Sequence, residues 1–339
     1  MEATDLSQRT YGALATRLAH AGFSAQFLRD VLLPDWWDAS CAEDPRLLTD
    51  LELRVARFLD LPVRTVQTPG IPLAAPHYPG ARLRHLPRVH QSRLRPAVHA
   101  GLQVAAAAVR AMGTAPEVRM PPADALAYRA ELLRAHALVD LACLVRDLWS
   151  RGIPSLHVEL LPNPRFQGMA CIIEHRPVVL LGHGHDTPAR LAFHLVHELG
   201  HVVSGDCQVE APVVDLSEDV GDTSDMEVTA DGYALAVLGG SGVPPAGLAR
   251  GAREAATSAY ELERQTRVDA GHVLLRWAEE TGDFATAQQA LRALWRSHGG
   301  RLALREGADD NLDLDGAPDT DRALLRCLYD DPARDAAPA

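Results

Sequence analysis

Residues 154–205 carry the pattern that most restricts what this chain can fold into. Three short runs have strand character: Leu156-His157-Val158-Glu159-Leu160, Ala170-Cys171-Ile172-Ile173 and Pro177-Val178-Val179-Leu180-Leu181. Thr187-Pro188 follows them and opens a helix, because Thr is a good N-cap and Pro is favoured at the first helical position. That helix runs through His201 and stops near Ser204-Gly205, where Gly suits a C-terminal cap.

The helix contains His197-Glu198-Leu199-Gly200-His201. Residues four apart on a helix lie one turn apart on the same face. His197 and His201 therefore present two imidazoles to one point, which suits a tetrahedral metal ion. Glu198 sits beside that point and can take a proton from water there. This is the zincin arrangement. The expected fold class is α+β and mostly helical, with a small β-sheet in a zincin-like metallopeptidase domain and helical regions on either side.

A catalytic metal of this kind takes a third protein ligand and keeps one position open. Glu227 is the first candidate, on a following helix expected over about 225–238 that ends at Gly239-Gly240. Asp231, one turn on, is placed to accept a hydrogen bond from a ligand His and so fix its tautomer. Cys207 is the rival third ligand, six residues after His201, although the pattern that uses this spacing wants Gly at 204. A bland alternative makes Glu227 the last member of a capping box that starts at Ser224. His194 shares the face of His197 and His201 and is expected beside the ligands, not among them. His183 and His185 read as loop residues. Tyr233 and Tyr260 read as aromatic core, with oxyanion partner as the other role.

Four blocks organise the chain. Residues 1–66 form a helical unit, with apolar spacing in Tyr11-Leu14-Leu18, in Phe27-Leu28-Val31-Leu32 and in Leu51-Leu53-Val55-Ala56-Leu59. Ser24 and Thr49 are placed to cap its second and third helices. Residues 67–92 are a Pro- and Arg-rich linker. The metallopeptidase block covers 93–240, with helices over about 93–112 and from Asp124 to about Trp149. A C-terminal helical region, 241–339, includes helices over 257–280 and 284–297 and ends in a loose acidic tail.

Charge bounds the partners. All 33 basic residues are Arg, and the formal net charge is −12, which argues against a general nucleic-acid coat. Residues 191–249 hold no Arg, while Asp206, Glu210, Asp215, Glu218, Asp219, Asp222, Asp225, Glu227 and Asp231 fall there. Such a stretch attracts a cation and a basic protein segment. The five cysteines are scattered without a CxxC pair, the start has no apolar run, and no stretch is long and apolar enough for a membrane. The expected location is cytoplasmic, with no membrane partner.

Phe193-x-x-x-His197-Glu198-Leu199-Gly200-His201, followed by Glu227-x-x-Ala230-Asp231-x-Tyr233-Ala234, resembles the ImmA/IrrE family of metallopeptidases. Asp231 stands where that family usually has Asn, and Tyr233 where it has Phe. The resemblance covers roughly residues 125–240. It implies a zinc-dependent endopeptidase, with Mn2+ also compatible with His and carboxylate ligands. It also implies a protein substrate, a basic DNA-binding repressor whose cleavage switches on stress or mobile-element genes. Residues 7–66 resemble a degenerate XRE-type helix-turn-helix, which implies DNA binding there. Against that, Trp36 to Asp44, where a recognition helix would lie, carries acids and no Arg. A DNA-binding regulator and a non-catalytic adaptor are the competing expectations.

Overall fold

The structure, a computed structural model, describes residues 9–34, 36–83, 88–182, 184–209, 211–215, 224–241 and 251–329. The expectations for His183, Glu210, the acids of 216–223 and the tail from 330 lie outside the described residues. The chain is mostly helical, 59% helix, with a small mixed sheet, so the α+β class holds. No helix among the described residues is long and apolar enough to cross a membrane. Chain contacts divide the molecule into two compact units.

The first unit draws on the described parts of Met1–Gly113, Val158–Phe166 and Leu312–Ala339. It contains α1 (Tyr11–His20), α2 (Pro45–Phe58) and α3 (Arg88–Ala111). Ser24 caps the turn after α1, accepting from the Phe27 N–H at 3.0 Å. The cap of α2 is Asp44 with Pro45 at the first position, not Thr49, which lies inside the helix and donates to the Pro45 carbonyl. Three Phe rings, Phe23, Phe27 and Phe58, meet at 5.3–5.7 Å between centroids and anchor the core. The stretch 36–44 holds a 3-10 turn, Ala39–Glu43, capped by Asp38. Arg110 grips Asp321 through two bonds of 2.8 Å, which fixes the helix Asp319–Leu325 to α3.

The second unit draws on the described parts of Thr114–His157 and Gln167–Asn311. Its elements are α4 (Ala125–Ala135), α5 (Leu141–Ser150), β1 (Ser155–His157), β2 (Gly168–Ile173), β3 (Arg176–Leu181), α6 (Pro188–Val203), β4 (Val213–Asp215) and α7 (Asp225–Gly239). They are followed by α8 (Ala252–Thr266), α9 (Ala270–Thr281), α10 (Phe284–Ala293) and α11 (Gly300–Asp309). The helix expected from Asp124 to Trp149 is two helices. Asp140 caps the second by accepting from the Cys143 N–H. Arg267, at φ +57, donates to the carbonyls of Leu133, His136 and Ala137, which satisfies the end of α4. The same left-handed residue separates α8 from α9, where the sequence suggests one continuous helix.

Within this unit the strands run β4-β2-β3-β1, with β1 parallel to β3 and the other pairs antiparallel. Glu174 and His175, at φ +48 and +66, close the β2–β3 hairpin. β1 stops at His157, short of the expected Leu160. The N–H groups of Glu159 and Leu160 donate instead to the Cys327 carbonyl. β4 lies in the acid-rich stretch after α6, where Val213-Val214 are buried β-branched residues that pair with Ala170 and Met169. α6 packs against β2 and β3 on one side and against α5, α7, α9 and α11 elsewhere. It is therefore buried along nearly its whole length, from Ala189 to Val202.

His99 in α3 is fully buried and keeps both ring nitrogens engaged, with the Tyr78 hydroxyl at 2.7 Å and the Phe58 carbonyl. Burial outweighs the raising effects of the Phe58 bond and of Asp60, and holds its pKa down to about 4. The unfolded chain thus binds a proton here that the folded chain refuses. The contribution is fully present above about 6.5 and is lost as pH falls through about 4, about 3 kcal/mol in all. Urea unfolding across that window is expected to show this loss, and His99→Gln to flatten it. An unchanged pH slope in the variant would assign the acid sensitivity elsewhere.

Candidate metal centre

Two helix ends and one strand place the site. α6 begins at the N-cap Thr187 and Pro188, as the sequence suggests, although the Thr187 hydroxyl contacts the Ser297 carbonyl and makes no cap bond. At its other end, Gly205 takes φ +75. The Asp206 N–H then bonds the His201 carbonyl at 2.9 Å and the Gly205 N–H bonds the Val202 carbonyl at 3.2 Å, which is a Schellman cap. The cap turns the chain so that the Asp206 carboxylate lies 3.1 Å from His201 Nδ1. Ser224 caps α7 by accepting from the Glu227 N–H, and the Glu227 carboxylate turns inward. The Asp231 carboxylate stands 2.8 Å from His197 Nδ1.

A carboxylate only accepts, so each of these imidazoles carries its hydrogen on Nδ1 and directs Nε2 inward. The two Nε2 atoms are 3.2 Å apart. Glu227 Oε2 is 3.3 Å from that of His197, and Glu227 Oε1 is 3.6 Å from that of His201. A tetrahedral ion with bonds of ~2.1 Å separates its donors by about 3.4 Å. The spacing and the mix of two imidazoles and one carboxylate suit a tetrahedral ion such as zinc. All three residues are 2% exposed or less. Among the described residues, Cys207 and the buried His194 belong to neither group of side chains close enough together to hold an ion.

The helices that carry these donors touch through small residues. A Cβ on Gly200 would stand 3.0 Å from Ala230 Cα, so the glycine between the two His residues lets α7 come in close. Glu198 is 1% exposed and lies over β2. A Cβ on Gly168 would sit 2.0 Å from Glu198 Oε1, so Glu198 occupies the space that any other residue at 168 would fill. Opposite Gly168 in the ladder is Asp215, 5% exposed, with a carboxylate oxygen within 4.8 Å of ligand atoms of both His197 and Glu198. Tyr233 is buried, stacks on Tyr128 and donates to the Pro122 carbonyl at 2.9 Å, so it has a packing role. Tyr260 is 47% exposed and is not core. His185 is an exposed loop residue.

The two imidazoles divide the charge between them. Burial pushes His197 down, but its bonds to Asp231 and Glu227 and the charges of Glu198 and Asp231 prevail and raise it to about 10. Burial, and then the charge of His197, lowers His201. A cation seated between them would take the place of the proton that His197 holds.

Gly168, Asp206 and Asp215 escaped the sequence reading. Asp206 had a signal, because a carboxylate directly after a helix-ending Ser-Gly turns back toward the last turn. Gly168 and Asp215 had none, since only the strand register brings them to Glu198. No protein-family model, curated protein or solved structure matches the chain.

Gly168→Ala is expected to cost about 1–3 kcal/mol through overpacking against Glu198. In a Glu198→Ala background the same change should cost clearly less. Urea unfolding of the four proteins measures the difference. Equal costs in both backgrounds would mean that the carboxylate does not fill that space.

Proposed function

We propose that this protein is a zinc-dependent endopeptidase that cleaves a partner protein, a basic DNA-binding repressor. The observation that carries the reading is the set of three buried donors, His197, His201 and Glu227, whose inward-facing atoms are 3.2–3.6 Å apart beside a buried Glu198. The resemblance of Phe193 to Ala234 to the ImmA/IrrE peptidases supplies the substrate class. The acids from Asp206 to Asp231 support a basic partner.

In this reading His197, His201 and Glu227 hold the ion. What a bound zinc supplies there is Lewis acidity, for polarising a scissile carbonyl and activating water. Asp231 and Asp206 accept from the Nδ1–H groups of His197 and His201, which keeps both Nε2 lone pairs on one point and raises their basicity. Glu198 takes the proton from the attacking water and hands it to the leaving amine. The Gly168 backbone gives that carboxylate its place, and the burial of Glu198 keeps bulk water from competing for the proton.

Elemental analysis of the purified chain is expected to find about one zinc per molecule, lost in Glu227→Ala. Glu198→Gln should keep the metal and lose cleavage of candidate repressors by at least ~100-fold. A metal-free parent after zinc is supplied, or a Glu198→Gln protein that cleaves at the parent rate, would overturn the assignment.

A further inference from the structure

Behind the helix that carries Glu227 and Asp231 there is a cavity of about 360 Å³. It lies within the second unit, between the C-terminal half of α7, the start of α4 and the first turns of α9. Gly232, Leu235, Ala236 and Gly239 face it from α7, roughly a third of a turn round the helix from Glu227 and Asp231. Three of those four residues are Gly or Ala, and a Cβ on Gly232 would meet nothing within 4 Å. The hollow therefore exists because, beside Leu235, α7 carries only Gly and Ala on that face.

The opposite wall comes from α9. Val273 from this helix and Val268 just before it give it an apolar lining, and His272 and Arg276, one turn apart, add polarity. His272 is 5% exposed, and its Nε2 lies 3.5 Å from where a Cβ on Gly239 would stand, so the ring is turned toward that face of α7. Burial, then the charges of Arg276 and Arg129, hold this imidazole down to about 3, so it is a neutral hydrogen-bonding group in a positive surrounding. Arg276 gives Nη1 to Glu279 at 2.7 Å, with Glu280 at 3.9 Å from Nη2. A guanidinium has five donors, so that pairing still leaves it able to bind a second acid at the rim. Arg129 is committed to the carbonyls of Val237, Leu238 and Arg267 and contributes charge alone.

We propose that this cavity binds a small amphipathic organic acid, its apolar body between α7 and α9 and its anionic group between His272 and Arg276, and that occupancy alters metal retention through α7. The second half of the proposal rests on the zinc reading above; the first half does not. Among the described residues α7 is the element that lines both places, and Gly232 directly follows Asp231, the partner of His197. A ligand that wedges or steadies α7 acts on Glu227 and Asp231 together.

The test uses the full chain and 8-anilinonaphthalene-1-sulfonate, an apolar body with one anionic group. The folded parent is expected to show a saturable fluorescence rise with one site per chain. Gly232→Leu, which fills the hollow, should weaken it at least tenfold, and Arg276→Ala, a change at a partly exposed position, several-fold. Both variants should keep the parent's zinc. Saturating probe should change the rate of zinc loss to a chelator at least threefold in the parent and leave Gly232→Leu unaffected. No binding by the parent, or equal binding by the parent and both variants, would overturn the site. Binding with an unchanged rate of zinc loss would overturn the coupling. If the parent holds no zinc, the peptidase reading fails, and the fluorescence series still decides the cavity.

Discussion

Side chains from two helices reach a common buried point only if the backbones come close. Helix axes usually pack 8–10 Å apart, and the residues at the contact set the distance. Here the contact is Gly200 against Ala230. Gly200 lies between His197 and His201 on α6, and Ala230 lies between Glu227 and Asp231 on α7. The four functional side chains thus surround the place where the helices touch. Their mutual distances of 2.8–3.6 Å depend on that contact, as does the route by which anything acting on α7 could reach the site.

The polarity of this contact is costly. α6 is otherwise a core helix, and an ionisable group taken out of water costs several kcal/mol unless it is paired. His197, Glu198 and His201 are each at most 2% exposed. The chain offsets part of the cost by giving each imidazole its own carboxylate, Asp231 for His197 and Asp206 for His201. Once Glu227, Glu198 and Asp215 are added, the carboxylates outnumber the imidazoles. Such a surplus of carboxylates around two inward-facing nitrogens favours a bound cation. The two histidines shift in opposite directions, since the carboxylates bonded to His197 raise it, while burial and then the charge of His197 lower His201.

Local patterns made part of this readable in the sequence. The pairing of His197 with His201 is a matter of helical period, and the ends of α6 are announced by Thr187-Pro188 and Ser204-Gly205. The link from Asp231 to His197 followed from the same spacing on α7. The sheet was visible as apolar runs, but its register was not. Register is what puts Asp215 opposite Gly168 and leaves room over Gly168 for Glu198. β4 was hidden because only two Val residues mark it within an acid-rich stretch. The breaks at 136–140 and at Arg267 were missed because helical residues continue through them. What sets those breaks is Asp140, which starts α5 as its N-cap, and Arg267 reaching across to the carbonyls that end α4, and the second is a tertiary contact. The first unit is assembled from three separate stretches of chain, a feature that no contiguous reading can express.

α7 shows how one short segment can answer to several demands at once. Its N-terminus is capped by Ser224 and its C-terminal carbonyls at Val237 and Leu238 are held by Arg129. Between these fixed ends, one face carries Glu227 and Asp231, a second packs Ala230, Tyr233 and Val237 into the core, and a third has only Gly and Ala beside Leu235. Close packing on its core face makes such a helix transmit strain, as close-packed interiors do. A displacement imposed on the third face is therefore not absorbed there. Under the proposed coupling it would reach Glu227 and Asp231, whose donor distances a bound ion would hold to within a few tenths of an ångström.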